Sequence, residues 1–308
     1  MAQGQNMNAF AYRLLSHIKL VFEESCGVVL YERKSAEAAM SARQFYTREL
    51  ADNLIRPMKE QHRNEFARGS GEELKDKMRA LRSSSAMTFN VLGNETFTAR
   101  ERHVSQEHAF LPGSYRVAYE YQLPTLRRGA PANLDALLTN GNRAIACEMK
   151  FLEWVFGAPK AFRDAYHRCE AYRHDEAAGT FMPVAKQLEA RGFVRYDYAQ
   201  MFKHALALYN ACAEGGLPDV TMLTLLNVVW EPPRHSAILT GDDLDWLAEA
   251  SAQERREFEW FAEEMQPVGE LFERTGVGFS IAYMPVSHVI ALGRYPIEEQ
   301  GKLRRYIE

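Results

Sequence analysis

Three charged side chains in the middle of the chain carry its clearest chemical signal. Asp135 stands in the run NLDALLT (residues 133–139), and Glu148 and Lys150 stand two apart in RAIACEMKFL (residues 143–152). Their neighbours are apolar: Leu134, Ala136, Leu137, Ile145, Ala146, Met149 and Phe151. Burying charge among such neighbours without a partner costs several kcal/mol. Two carboxylates that share a hard divalent cation escape that cost, and ligation by oxygen alone suits Mg²⁺ or Mn²⁺. A lysine beside the cation can orient or deprotonate a water and stabilise charge developing on a phosphate. These residue types predict metal-assisted hydrolysis of a phosphodiester.

The surrounding text must bring them together. Residues 133–139 and 143–152 read as strands, with Asn140-Gly141 as a two-residue hairpin turn. Alternation along the second strand puts Glu148 and Lys150 on one face and Cys147 and Met149 on the other. Asp135 lies six residues before Gly141 and Glu148 seven after it, so the two carboxylates can sit close across the pair, on one face if the register is regular. Residues 115–123 (YRVAYEYQL) also alternate, making 115–152 an antiparallel meander. Ahead of it, 83–94 (SSSAMTFNVLGN) reads as a short buried helix closed by Gly93-Asn94. Behind it come helical text over 160–191 and 198–213, then an apolar run at 220–230 suited to a strand buried on both faces. Residues 242–274 read as one long acidic helix or two short ones, and 279–292 as a strand. Residues 8–68 read as helical with a β-like break at 26–31; Ser70 and Glu73 have capping-box spacing for a further helix carrying Lys75, Lys77, Arg79 and Arg82.

The 308 residues are 46% hydrophobic and 25% charged, with a formal net charge of -4. That composition excludes a disordered or coiled-coil chain and a histone-like basic coat, while leaving room for a local basic groove. Cys26, Cys147, Cys169 and Cys212 form no CxxC pair, and the histidines show no HxxxH or HExxH spacing, so neither a disulfide scaffold nor a zinc site is expected. There is no GxxxxGK[ST] or GxGxxG loop for a nucleotide. With no secretory leader and no apolar run long enough to span a bilayer, a soluble cytoplasmic protein without a membrane partner is expected.

Asp135, a gap of 12 residues enclosing a hairpin, and Glu148-Met-Lys150 resemble the signature of the PD-(D/E)xK nuclease superfamily. More narrowly, SSSAMTFNVLGN, YEY, NLDALL and CEMKFLEWVF resemble a bacterial branch of restriction-endonuclease-like proteins. The resemblance covers about half the chain and implies an α/β fold: a restriction-endonuclease-like core of helix, three-strand meander, helix and strand, with helical extensions at both ends. On that reading 1–82 is a helical N-terminal extension, 83–235 is the nuclease core, and 236–308 supplies a helix and strand completing the same domain. The resemblance implies Asp135 and Glu148 as ligands of Mg²⁺ or Mn²⁺, Lys150 as the catalytic lysine, and Glu120 as an additional acidic ligand. Glu153 matches an acidic residue just after the ExK element, while the proline expected before the aspartate is replaced by Leu134. Gln200, with Lys203 and His204 on the same helical stretch, resembles a polar motif that positions the active site or the DNA backbone. Arg127 and Arg128, in the loop between the first two strands, are candidates for phosphate contact.

The implied activity is a DNA endonuclease or exonuclease in restriction, phage defence or repair, and two cuts on a duplex would favour a homodimer. The competing reading is a catalytically inactive nuclease-fold protein that acts as a DNA- or protein-interaction module, with the acidic stretch from Glu254 to Glu270 as a partner surface. Convergence of Asp135, Glu148 and Lys150 separates the two. Each residue also has a plain structural role to weigh. Glu148 and Lys150 would form a solvent-facing ion pair on the sheet, Gln200 would be a helix-surface residue, and Cys147 and Trp154 would be core packing.

Overall fold

The computed structural model describes residues 7–27, 45–69, 73–100 and 109–308. A six-stranded mixed sheet in the order β1-β2-β3-β4-β5-β6 organises the chain. Its elements are α1 (Met7–Cys26), α2 (Glu60–Arg68), α3 (Ser84–Leu92), β1 (Thr96–Ala99), β2 (Gly113–Leu123), β3 (Ala132–Asn140) and β4 (Arg143–Lys150). There follow α4 (Glu153–Phe156), α5 (Asp175–Arg191), α6 (Tyr198–Ala213), β5 (Met222–Val229), α7 (Gly241–Glu264), α8 (Gln266–Glu273), β6 (Gly278–Pro285), α9 (Val286–Leu292) and α10 (Ile297–Leu303). β1 to β4 are antiparallel; β5 and β6 then add in parallel, each reached by a helical crossover.

Local chemistry explains the elements around the site. The Ser83 side chain accepts a hydrogen bond from the Ala86 amide and starts α3, and Gly93, at φ 85°, ends it. The hairpin closes on the Asn140–Arg143 pair, so its loop is Gly141-Asn142, one residue later than the sequence reading. Gly141 alone supplies the positive φ, 57°, as a type II′ turn requires. Leu134 and Leu137 join one hydrophobic core with α5, α6 and α8, while Ala136, Leu138, Cys147 and Met149 join a second core with α1 and α3 on the opposite face.

Several expectations are corrected. The stretch after Glu73 forms turns and one 3₁₀ turn at Lys77–Arg79 instead of an α-helix; Asn53 Nδ2 donates to the carbonyls of Met78 and Ala80, which a continuing helix would need. Ser70, and residues 28–31 of the β-like break, lie outside the described residues. Helix does not begin at 160: two 3₁₀ turns, Asp164–His167 and Cys169–Ala171, precede α5. The run 279–292 divides at Pro285, which ends β6 and stands at the N-cap of α9, since proline donates nothing to a ladder but fits a helix start. Proline again starts α8, splitting the acidic helical region in two. That region is no uniform acidic surface: Glu254 and Glu257 are buried, and Glu263 and Glu264 pair with Arg191.

Candidate active site

The site begins with a fault in β2. Glu120 has φ 46°, the left-handed region that non-glycine residues avoid, and it is the only such residue among those described. The register is the same on either side of it, Tyr119 facing Ala136 and Tyr121 facing Leu134, but the Glu120–Asp135 row between them makes no ladder pair. The fault reverses the alternation. Tyr115, Val117 and Tyr119 enter one core, whereas Tyr121 and Leu123 pack with the other. β1 pairs with β2 only as far as Arg116, and α2 covers the edge beyond, where Glu65 Oε2 accepts the Tyr119 amide at 3.1 Å. Gly69, after α2, lies so close that a Cβ there would stand 2.6 Å from Glu120 Oε2.

The rows continue across the sheet. Extending the β3–β4 register by one step from Ala136–Cys147 sets Asp135 beside Glu148; Glu148 then pairs with Asn227 on β5, and Asn227 with Tyr283 on β6. Glu120, Asp135, Glu148, Asn227 and Tyr283 thus form one polar row through five strands of an otherwise apolar sheet.

Glu148 is 2% exposed and has both oxygens engaged. Lys150 Nζ lies 2.7 Å from Oε1, and His204 Nε2 lies 2.9 Å from Oε2. Burial alone would raise this carboxyl; Lys150, and then His204, bring it down to about 2. Lys150 Nζ also donates to Gln200 Oε1 at 2.6 Å. Burial would discharge the ammonium, but Glu148, Asp197 and Glu153 hold its pKa above the ordinary lysine value. Asp135 Oδ2 accepts the Met149 amide at 2.7 Å. Its carboxyl is raised by burial and then by the charges of Glu148 and Glu120. Glu120 is pushed up to about 7, by burial first, then by Glu73 and Glu148.

The charge is therefore lopsided. Glu148 is compensated, whereas Asp135 and Glu120, raised by burial and by neighbouring carboxylates, are eased only in part by Lys150 and Lys77, a deficit that a divalent cation on oxygen ligands would remove. Among the described residues no cage of three or more His, Cys, Asp or Glu side chains is placed to hold a metal ion. Mg²⁺ needs no such cage: it retains waters and binds through one or two carboxylates together with a substrate phosphate.

Asp135, Glu148, Lys150 and Gln200 stand together, with Glu120 on the adjoining strand. Lys203 is half-buried on α6, its ammonium weakened by burial and then by Arg163, while Glu148 opposes that effect. Arg127 is used differently: its guanidinium donates to the carbonyls of Tyr172 and Arg173, tying the β2–β3 loop to the segment before α5. Arg128 is exposed. Glu153 Oε2 takes the Phe151 amide, a local brace where β4 ends. The sequence reading gave His204 only a place beside Gln200 and missed its bond to Glu148. It also missed Asn227, although an amide within VTMLTLLNVVW, past the two threonines, interrupts the most buried part of an apolar strand.

The fold is a mixed α/β one, a six-stranded sheet with helices packed on it. The family model for restriction endonucleases associating with ARP matches residues 21–259, and the chain belongs to that family. The family is one of nucleases, hydrolases that act on nucleic acid. No curated protein and no solved structure matches the chain. No helix among the described residues is long and apolar enough to cross a membrane.

Proposed function

We propose that the chain is a metal-dependent nuclease of the PD-(D/E)xK type that hydrolyses phosphodiester bonds of DNA in restriction, defence or repair. One observation carries the reading. Two under-neutralised carboxylates, Asp135 and Glu120, adjoin a third, Glu148, clamped by the lysine two residues along the same strand. Asp135 and Glu148 would hold Mg²⁺ or Mn²⁺, with Glu120 joining by a side-chain shift because the three carboxylates do not converge as they stand, and the cation would supply a Lewis acid for the phosphate and lower the pKa of a water. Lys150 remains protonated at neutral pH and acts as a hydrogen-bond donor and a charge, aimed by Gln200. His204 fixes the second oxygen of Glu148, so the carboxylate cannot swing when Lys150 turns towards a phosphate. Lys203 adds a cation for the strand's backbone.

A second reading, an inactive nuclease-fold interaction module, draws on the same carboxylate: both Glu148 oxygens are already taken, so ligation requires Lys150 or His204 to yield. The family description names association with ARP, and assembly with such a partner is compatible with either reading. Supercoiled plasmid, single-stranded DNA and RNA, each incubated with Mg²⁺ or Mn²⁺, decide between them. The nuclease reading predicts cleavage that EDTA abolishes and that Lys150→Ala lacks. Absence of cleavage on all three, or cleavage unchanged in the variant, favours the module.

A further inference from the structure

A cavity of about 260 Å³ lies beside Lys150, and its wall takes Asn227 from β5 but no residue from β3. It is walled by the end of β4, α4 with the segment after it, the turn before α6, α6 itself and α7. Four of its lining side chains, Trp154, Tyr196, Asn227 and Glu254, are at most 3% exposed. Each brings a buried polar atom that completes no hydrogen bond: Trp154 Nε1, Tyr196 Oη, both amide atoms of Asn227 and Glu254 Oε2. Asn227 leans towards Glu254 without reaching normal bonding geometry. Buried polar atoms are nearly always paired, so a cluster of five around one space calls for a ligand that pairs them.

The wall also specifies the ligand's chemistry. Lys150, Lys160 and Arg195 face Glu153, Asp197 and Glu254, so the wall mixes both signs without a strong excess of either, which favours a neutral occupant. The orphaned atoms include donors, the indole N–H, the phenol and the amide NH₂, and an acceptor, the amide oxygen. Burial, and then Glu257, push the Glu254 carboxyl up to about 7, so it serves as donor or acceptor at neutral pH. The volume lies below the range of about 300–1,000 Å³ typical of drug-sized ligands and suits one small ring system. Lys203 on α6 feels the charges of Arg163 and Lys160, and none of these three forms an ion pair among the described residues. Together they give a basic site for a phosphate close to the cavity.

Resting on the nuclease reading above, we propose that this cavity is a nucleobase pocket, which takes one unstacked base of the strand being cut while that strand's phosphates lie at Lys150 and along Lys160, Arg163 and Lys203. A neutral planar ring with donor and acceptor edges, joined by one sugar to a phosphate, meets each requirement in turn. Enzymes that withdraw a base from the stack read its edge with buried polar groups of this kind.

The test is anisotropy binding with the full chain and Ca²⁺ in place of Mg²⁺. The probes are a labelled mixed-sequence 20-nucleotide DNA strand, alone and in duplex, and the same single strand with every base replaced by an abasic residue. The proposal expects the wild type to bind the abasic strand roughly tenfold more weakly than the base-bearing strand. Asn227→Ala and Tyr196→Phe should each weaken base-bearing DNA about five- to tenfold and leave the abasic strand within about twofold. Tyr196→Phe removes a single oxygen and keeps the ring, so it guards against loss of folding. Equal affinity of the wild type for abasic and base-bearing strands overturns the pocket and leaves the nuclease reading standing, as does unchanged base-bearing affinity in both variants. Failure to bind any probe overturns the pocket together with the DNA-nuclease reading beneath it.

Discussion

Replacing Lys150 with methionine keeps the side-chain length and removes its charge. In the wild type the Glu148 carboxyl falls from an ordinary 4.5 to about 2. At roughly 1.4 kcal/mol per pH unit, that fall corresponds to about 3 kcal/mol of folding stability, shared between Lys150 and His204 with Lys150 first. The sign follows from the direction of the shift. A carboxyl whose folded pKa is depressed contributes fully above its unfolded pKa, and the contribution is lost as pH falls towards the folded value. Lys150→Met should therefore destabilise the chain by about 2–3 kcal/mol at pH 7, and by about half as much at pH 3, where unfolded Glu148 is protonated and the native pair contributes less. Urea denaturation of both proteins at pH 7, 5 and 3 measures the gap. A gap of constant size across that range would refute the reasoning, because it would trace the loss to packing and not to the ion pair.

Glu120 shows the opposite sign: its folded pKa of about 7 lies above the unfolded value, so ionisation costs stability from about pH 4.5 upwards. Glu120→Gln should raise the melting temperature more at pH 8 than at pH 5, and Mg²⁺ should narrow the difference at pH 8 by stabilising the wild type more than the variant; thermal melts in both buffers check this. Gly69→Ala sets a methyl 2.6 Å from Glu120 Oε2, the end of a side chain that can move away. It should cost no more than about 1 kcal/mol in stability yet lower cleavage at subsaturating Mg²⁺ several-fold, and equal cleavage rates would count against Glu120 as a ligand. Glu257 receives the amides of Val194, Arg195 and Tyr196, fixing the turn that carries two wall residues of the cavity. Glu257→Ala should destabilise the chain by about 3 kcal/mol in urea melts, since three amides, that of Tyr196 buried, lose their carboxylate acceptor.

The parts of this architecture that were legible in the sequence are those dictated by local chemistry. Ser83 and Gly93 bound the helix read over 83–94, and the runs YRVAYEYQL, NLDALLT and RAIACEMK, read as strands, become three antiparallel strands. The spacing of Asp135, Glu148 and Lys150 places them near one another across the hairpin, and the loop at Gly141-Asn142, one residue later than the sequence reading, is what sets Asp135 directly beside Glu148. What the sequence hid depends on distant partners. His204 and Glu148 meet across 56 positions, and Glu120 departs from β geometry through a fault that no propensity announces. Arg127 looked free for phosphate because the carbonyls it serves, those of Tyr172 and Arg173, lie some forty-five residues further along the chain. Residues 286–292 read as strand because apolar residues dominate them; the helix follows from Pro285. Glu254 and Glu257 read as surface acids, and only the turn and strands packed on α7 reveal them as buried.

The central claim, that the carboxylate row is a divalent-cation site serving phosphodiester hydrolysis, is tested most directly by calorimetric titration of Mn²⁺ into the full chain and into Asp135→Asn. The account predicts Mn²⁺ binding to the wild type that tightens between pH 6 and pH 8, as Glu120 ionises about its value near 7, and that weakens at least tenfold in the variant. Absence of binding to the wild type, or equal binding to both proteins, would contradict it.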